Sequence, residues 1–310
     1  MVDDVRAARW RLTVPAADAV LLVCAILWGI GFVAQRVATQ QMGDTPFTFN
    51  GARFLIGALI LLPFVARRPS ARTRASVVGG VAASIALVTA ASLQQKAMAT
   101  VTAGTAGFIT GTYVLWVPLL GLLLGQRVTA RVWIGVSMAL AGLWFLVLGD
   151  KLELASGDFY LIGCAIAWAC HVLIVGWAVR RGDPLGIAVV QFGLTGAVCA
   201  SIAMTVEPVS LQLLLDGSWA ILFSAVFAIA IAFTLQVIAQ TSGPPAHAAV
   251  ILSLESVFAE FSGSLWLNES FDPRKWCGAL LMLGGALVAT VTGFRQPPRE
   301  SHPQQQSAVD

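Results

Sequence analysis

Four ionisable side chains interrupt long apolar stretches of the chain, and three of them suggest a specific chemistry. Arg53 could bind a carboxylate through two parallel hydrogen bonds, pair with Glu255, or extend toward the nearest water. Glu255 could bind and release a proton in response to a proton gradient, or it could be a fixed partner for Arg53 or for backbone amides. His171 can donate, accept or titrate, although a packed histidine bonded to a backbone carbonyl fits the sequence as well. Glu260 follows Glu255 in the same apolar stretch, and its role is equally open.

Aromatic and polar side chains recur on one face of two apolar stretches, as the wall of a binding cavity would require. Trp28, Phe32 and Gln35 are three or four residues apart and therefore share one helical face. Trp168 and His171 share a face of a later stretch. Indole rings could stack on a flat ligand, with a gain of about 1 kcal/mol per ring pair, or could simply pack at helix crossings. Hydroxyl groups that could contact a ligand, or instead join neighbouring helices, belong to Tyr113 and Ser253.

The sequence lacks the motifs of common catalytic, metal and nucleotide sites. All five cysteines lie in apolar stretches, and an odd number without a Cys-x-x-Cys pair predicts neither a disulfide framework nor a metal site. A phosphate-binding Gly-x-x-x-x-Gly-Lys loop is absent, and His171 has no evident aspartate partner. We therefore expect no enzymatic activity and no cofactor. The net charge of +3 is spread over short clusters, so nucleic acid is not an expected partner.

The elements that carry these residues are too apolar for a water-soluble domain. Of the 310 residues, 57% are hydrophobic and 11% are charged, whereas an ordinary globular domain has about 25% charged residues. The apolar residues come in runs of about twenty, which as helices match a hydrocarbon core of about 30 Å. We predict an all-α polytopic protein of the lipid bilayer, with ten transmembrane helices at residues 17–38, 46–66, 74–95, 101–124, 130–148, 156–179, 184–206, 217–239, 246–267 and 274–293.

Charges in the short loops predict the orientation in the membrane. Most Lys and Arg residues lie at the N-terminus, after predicted helices 2, 4 and 6, and in the tail, and such clusters favour the cytoplasm. Both termini are therefore expected in the cytoplasm, and the expected location is the bacterial inner (plasma) membrane. Asp18 and Asp158, at the predicted starts of helices 1 and 6, are expected to be N-caps. Pro118 is expected to kink helix 4.

The second half of the chain repeats the first. The stretch DAVLLVCAILWG, which begins at Asp18, aligns with DFYLIGCAIAWA, which begins at Asp158, and their cysteines and tryptophans coincide. Further matched pairs are Arg53 with Gln191, Gln94 with Gln236, Gly135 with Gly278, and Gly142 with Gly285. A unit of five helices is odd, so the second unit must cross the membrane upside down relative to the first. The predicted organisation is an N-terminal segment (1–16), a first repeat (17–150), an inverted second repeat (151–293) and a disordered cytoplasmic tail (294–310).

Inverted repeats of this kind are typical of secondary transporters. Two similar halves of opposite orientation can exchange conformations, and the exchange opens a central site first to one side and then to the other. The sequence therefore predicts transport by alternating access. The alternative is a structural membrane protein that was enlarged by duplication.

Two stretches at matching places in the repeats resemble a known family. They are TAGTAGFITGTYVLWVPLLGLLLGQRVTARVWIGVSMALAGLWFL (Thr102 to Leu146) and LESVFAEFSGSLWLNESFDPRKWCGALLMLGGALVA (Leu254 to Ala289). Both resemble the drug/metabolite transporter superfamily, EamA type, and AGFITGTYVLWVPLLG resembles its aromatic amino acid exporter (YddG-like) branch. The resemblance implies ten helices, with helices 1–4 and 6–9 around a central cavity and helices 5 and 10 at the periphery. Ser256 stands where family members often have a proline, so the sequence departs from the family at this kink.

These observations lead us to expect an exporter of small metabolites, with amino acids, aromatic ones included, as the leading substrate class. Few charges lie inside the membrane, which favours amphipathic or aromatic solutes over highly charged ones. One alternative is a transporter of the same superfamily with another cargo, such as cationic drugs or nucleotide-related metabolites. An intramembrane enzyme is a further alternative that fits the residues less well. The sequence does not specify the direction of transport, the coupling or the oligomeric state.

Overall fold

The computed structural model describes residues 12–147, 156–268 and 273–290, and the regular secondary structure of these ranges is helical throughout. Ten long helices, α1 to α10, follow the predicted apolar segments within a few residues. Two short helices, Pro69–Arg72 and Leu211–Asp216, lie in the connections. The long helices are α1 (Val14–Met42), α2 (Pro46–Ala66), α3 (Arg74–Ala97), α4 (Ala103–Leu123), α5 (Ala130–Val147), α6 (Ser156–Ala178), α7 (Pro184–Val206), α8 (Ser218–Ala239), α9 (Pro245–Leu267) and α10 (Pro273–Thr290).

Eight of these helices, α1–α4 and α6–α9, are long and apolar enough to cross a membrane. The apolar part of α5, Ala130–Leu146, is shorter. The first turn of α10 contains Arg274 and Lys275, which lower its mean hydropathy. The chain is therefore a multi-pass membrane protein, and its eight clear spans coincide with eight of the ten predicted ones.

The expected N-cap roles of the two repeat-matched aspartates are wrong. Helix α1 begins at Val14, with Thr13 at the N-cap position and Pro15 in the first turn, so Asp18 lies one turn inside the helix. Proline lacks the N–H that would be unsatisfied there, which allows the helix to begin before the apolar run does. Asp158 lies in the first turn of α6, which begins at Ser156.

Three spans are interrupted, and all three contribute residues to one internal cavity. Helix α4 is interrupted at Thr112, α9 at residues 253–254, and α8 contains a π-helical stretch, Ser224–Phe233. The predicted kink at Pro118 is not where α4 breaks, because Pro118 lies within the regular stretch Tyr113–Leu123. Such interruptions release backbone groups from the regular ladder and place helix ends inside the bundle.

Helix packing follows a regular scheme. Helix α2 packs along α7, α3 along α6, and α5 along α10, while α9 contacts both α1 and α4. Helix α1 also packs on α8, and α4 on α6. At the α5–α10 crossing, a Cβ on Gly142 would lie 2.6 Å from the Gly278 carbonyl oxygen, and one on Gly135 would lie 2.8 Å from the Gly285 carbonyl oxygen. Only glycine permits so close an approach of the two backbones.

Candidate functional site

A narrow cavity of about 40 Å³ lies where the spans meet. Helices α1 to α4 supply part of the wall and helices α6, α8 and α9 supply the rest, so both halves of the chain contribute. The lining residues are Trp28, Gly31, Phe32, Gln35, Arg53, Gln94, Tyr113, Trp168, Val172, Ala228, Ile229, Phe233, Gln236, Leu252 and Glu255.

An aromatic wall forms one part of the cavity. The Phe233 ring lies between the two repeat-matched tryptophans, 4.6 Å from Trp28 at an interplanar angle of 52° and 5.6 Å from Trp168 at 22°. Ring pairs at these distances attract one another beyond the area that they bury. The wall is therefore preorganised for contact with a flat or apolar ligand group.

Hydrogen bonds fix both tryptophan rings. Trp28 Nε1 donates to the Ala228 carbonyl oxygen in the π-helical stretch of α8, at 3.1 Å. Trp168 Nε1 donates to Gln94 Oε1 at 2.8 Å, and Gln94 Nε2 donates in turn to Gln35 Oε1 at 3.0 Å. Matching tryptophans of the two halves are thus held by the helices that they face, α8 and α3. The indole N–H groups are satisfied without water, which explains how two tryptophans are tolerated inside the bundle.

Gln94 and Gln236 line the cavity, yet they were not among the predicted binding residues. The repeat carried the signal that could have found them, since these glutamines occupy matching places in the two halves. Gln236 Oε1 is buried without a hydrogen-bond partner among the described residues. An unsatisfied amide oxygen beside a cavity is available to a ligand or a water molecule.

Arg53 and Glu255 both line the cavity, but the ion pair considered between them is not formed. The Arg53 Nε donates to Asn50 Oδ1 at 2.9 Å, and the guanidinium lies over the rings of Phe49 and Phe54, 4.8 and 5.2 Å from their centroids. These contacts hold the cation on α2, on its own side of the cavity. In the part of the chain that the structure describes, no carboxylate lies within ion-pair distance of Arg53 and no cation lies within that distance of Glu255.

The remaining predicted residues divide into two groups. Phe32, Gln35 and Tyr113 line the cavity, as do both tryptophans. His171 lies behind the wall, where its Nε2 is 2.9 Å from Gln191 Oε1 and its ring meets Trp168 edge-on at 5.5 Å.

Ser253 also lies outside the lining, because its hydroxyl donates to the Val250 carbonyl oxygen at 2.8 Å, at the interruption of α9. The structure therefore brings together seven of the nine predicted residues and places two of them next to that group.

Besides the exposed pair of Lys96 and Asp44, the described residues include two contacts between ionisable side chains that join helices outside the cavity, and neither was predicted. Asp18 Oδ1 is 2.7 Å from His247 Nε2 and joins the start of α1 to the start of α9. Lys275 of α10 pairs with Glu260 of α9, and both side chains are buried. These contacts link distant parts of the sequence, so no local pattern indicates them.

The sequence profile of the EamA-like transporter family matches this chain twice, at residues 16–148 and at residues 155–291. The chain belongs to the EamA-like transporter family. It is therefore a membrane transporter, which implies a role other than catalysis.

Similar proteins include a transporter and an amino acid exporter. An uncharacterized transporter of Archaeoglobus fulgidus is 29% identical over 279 residues, which cover 89% of this chain and 86% of that protein. The threonine/homoserine exporter RhtA of Escherichia coli is 28% identical over 184 residues, which cover 57% of this EamA-like transporter and 58% of the exporter. A solved structure, described only as the crystal structure of a protein, has a TM-score of 0.71 at 19% sequence identity, over 89% of this chain and 97% of that chain. That likeness shows a shared fold.

Proposed function

We propose that this protein is a secondary transporter that exports amino acids, aromatic ones included, through the central cavity. The observation that carries the proposal is the composition of the cavity wall, in which an aromatic surface, amide groups and two opposite charges face one space. Amphipathic solutes with a charged end and an apolar end match such a wall. The name of the RhtA relatives indicates amino acid cargo for those proteins. The aromatic wall is our reason for including the aromatic amino acids of the YddG-like branch.

The transport mechanism that we propose is alternating access between two inverted five-helix repeats, residues 17–150 and 151–293. Support comes from the family profile, which matches each half separately. Further support comes from the helix pairs, since α2 with α7 and α5 with α10 are pairs that an internal two-fold axis would map onto themselves. The same axis would exchange the α1–α8 pair with the α6–α3 pair, and the α1–α9 pair with the α6–α4 pair.

The α5–α10 crossing gives this proposal its most detailed support. Gly135 matches Gly278 and Gly142 matches Gly285 in the repeat, and each glycine contacts the counterpart of the other: Gly135 approaches Gly285, and Gly142 approaches Gly278. A two-fold axis produces such reciprocal contacts. This relation also favours ten spans, with α5 and α10 as a membrane-embedded pair. We place both termini, the segments 1–16 and 294–310, in the cytoplasm, and the protein in the bacterial inner membrane.

We assign individual roles to the residues of the wall. Trp28, Phe32 and Trp168 would contact the apolar part of the substrate, and Gln35 and Tyr113 would contact polar groups. His171 and Ser253 would act indirectly, His171 by holding Trp168 and Ser253 by shaping the interruption of α9.

A transport assay tests the proposed function. Purified protein is reconstituted into liposomes, and the exchange of a panel of radiolabelled amino acids that includes phenylalanine, tryptophan and threonine is measured with and without a pH gradient. We expect saturable transport of at least one aromatic or hydroxyl amino acid. If no amino acid in the panel is transported while a cationic drug or a nucleotide-related metabolite is, the proposed substrate class is wrong.

A further inference from the structure

The charge on the α2 side of the cavity is held in place but not neutralised. The Arg53 side chain is 5% exposed, and its Nε is occupied by Asn50. No carboxylate among the described residues pairs with the guanidinium, whose remaining N–H groups are left for the cavity. A buried cation without a counter-ion is costly, so such an arrangement persists where a ligand supplies the anion.

The charge on the α9 side of the cavity is also buried and has no counter-ion. Glu255 is 5% exposed, lines the cavity, and has no ion-pair partner among the residues with assigned positions. It lies in the first turn that follows the interruption of α9, where the helix dipole favours a negative charge. The Tyr113 hydroxyl, which also lines the cavity, lies beside the Glu255 carboxylate and is a neutral neighbour that leaves its charge without a counter-ion.

Two other buried charges among the described residues do have a counter-ion. Glu260 and Lys275, which are both buried, form an ion pair with each other. Arg53 and Glu255 are the charged side chains in the wall of the cavity, and they are opposite in sign. A ligand with a single charge would satisfy one of them and leave the other unpaired. A ligand with one carboxylate and one ammonium group satisfies both.

We propose that Arg53 and Glu255 form a head-group site for a zwitterion, in which Arg53 binds the α-carboxylate and Glu255 binds the α-ammonium group of a free amino acid. The guanidinium can hold the carboxylate through two parallel hydrogen bonds. The aromatic wall around Phe233 then receives the side chain of the substrate. This inference rests on the proposed function and adds a rule of selectivity to it: both charges of the head group are required, whereas many side chains are tolerated.

The first test changes the ligand and leaves the protein intact. In proteoliposomes that contain the wild-type transporter, uptake of radiolabelled phenylalanine, or of threonine if threonine is the better substrate, competes with three unlabelled analogues. The amide and the decarboxylated amine lack the carboxylate, and the N-acetyl derivative lacks the ammonium group. We expect each analogue to inhibit at least about ten-fold more weakly than the parent amino acid, because hydrogen bonds to charged groups are worth about 1.5–3 kcal/mol. Inhibition by all three within two-fold of the parent would overturn the proposal.

The second test assigns the two charges to the two ends of the head group. Arg53→Gln introduces the residue that the second repeat carries at the matching place, Gln191, and Glu255→Gln keeps the shape of the side chain. Arg53→Gln should reduce the preference for the acid over the amide at least about five-fold and retain the preference over the N-acetyl derivative. Glu255→Gln should do the reverse. The readout is a ratio of inhibition constants. A general loss of folded protein lowers the transport rate but does not change this ratio.

Matched substitutions serve as controls. Arg36→Gln and Glu207→Gln remove charges that do not line the cavity, and both preferences should stay within two-fold of the wild-type values. Equal loss of both preferences in Arg53→Gln and in the Arg36→Gln control would refute the assignment. If amino acids are transported without any head-group preference, the head-group inference fails and the proposed function stands. If no amino acid is transported, the proposed function itself fails.

Discussion

Removal of the charge on Lys275 should destabilise the protein far more than removal of a surface charge. The Lys275 and Glu260 side chains are only 4% and 6% exposed, so Lys275→Met leaves the Glu260 carboxylate buried without its lysine. Gly104 lies against this carboxylate, which restricts its movement toward another partner. Loss of one member of a buried pair costs about 3–5 kcal/mol. Replacement of both members by methionine removes both desolvation penalties, and we expect the double variant to be within about 1 kcal/mol of the wild type.

Free energies of unfolding in mixed detergent micelles, determined for both single variants and the double variant, test this prediction as a double-mutant cycle. The control is the pair between Lys96 and Asp44, whose side chains are 41% and 44% exposed. Lys96→Met should cost less than about 1 kcal/mol because water screens an exposed pair. The reasoning is refuted if Lys275→Met costs no more than Lys96→Met, or if the double variant is as unstable as the sum of the single variants.

Three further predictions concern packing, capping and the cavity wall. Gly29→Ala would place a Cβ 2.8 Å from the backbone of α9, and we expect this contact to cost about 1–3 kcal/mol of stability. The measurement is the melting temperature in detergent, which should fall. Gly193→Ala, whose Cβ would meet nothing within 4 Å, should leave the melting temperature unchanged. The Glu207 carboxylate accepts hydrogen bonds from two backbone N–H groups at the start of α2, at 2.9 and 2.7 Å. Glu207→Gln weakens these hydrogen bonds and should cost about 1–2 kcal/mol of stability. An unchanged melting temperature would contradict this. Trp168→Ala should reduce the affinity for phenylalanine about three- to ten-fold more than the affinity for threonine, measured as inhibition constants, and equal reductions would count against ring contact.

Sequence alone was sufficient for the helices and for seven of the fifteen residues that line the cavity. Apolar runs bounded by turn residues predicted α2 and α7 with their observed bounds, 46–66 and 184–206. Polar and aromatic residues within the apolar runs of α1, α2 and α9 led to Trp28, Arg53 and Glu255. Side chains of these kinds are rare in apolar helices unless they face an interior space.

The features that sequence did not predict depend on long-range contacts or on backbone geometry. The pair of Asp18 and His247 joins residues 229 positions apart, and Asp18 by itself matches a helix-start pattern. The π-helical stretch, Ser224–Phe233, is apolar throughout and has the same composition as an ordinary α-helix. Side chains of α1 donate to carbonyl groups of this stretch, as Trp28 does to Ala228, and these donors lie about 200 positions away in the sequence.

The most direct test of transport through the central cavity is to fill the cavity. Gly31 lines it, and a Cβ there would lie an ordinary 3.8 Å from the Ala228 Cβ, so the remaining atoms of a leucine side chain would occupy the empty space. Initial transport rates in proteoliposomes are compared for Gly31→Leu and for Gly193→Leu, a helical glycine with open space outside the cavity. We predict that Gly31→Leu melts at the wild-type temperature but transports the best amino acid substrate at least about ten-fold more slowly, while Gly193→Leu transports normally. Wild-type transport by Gly31→Leu would show that the substrate does not pass through this cavity.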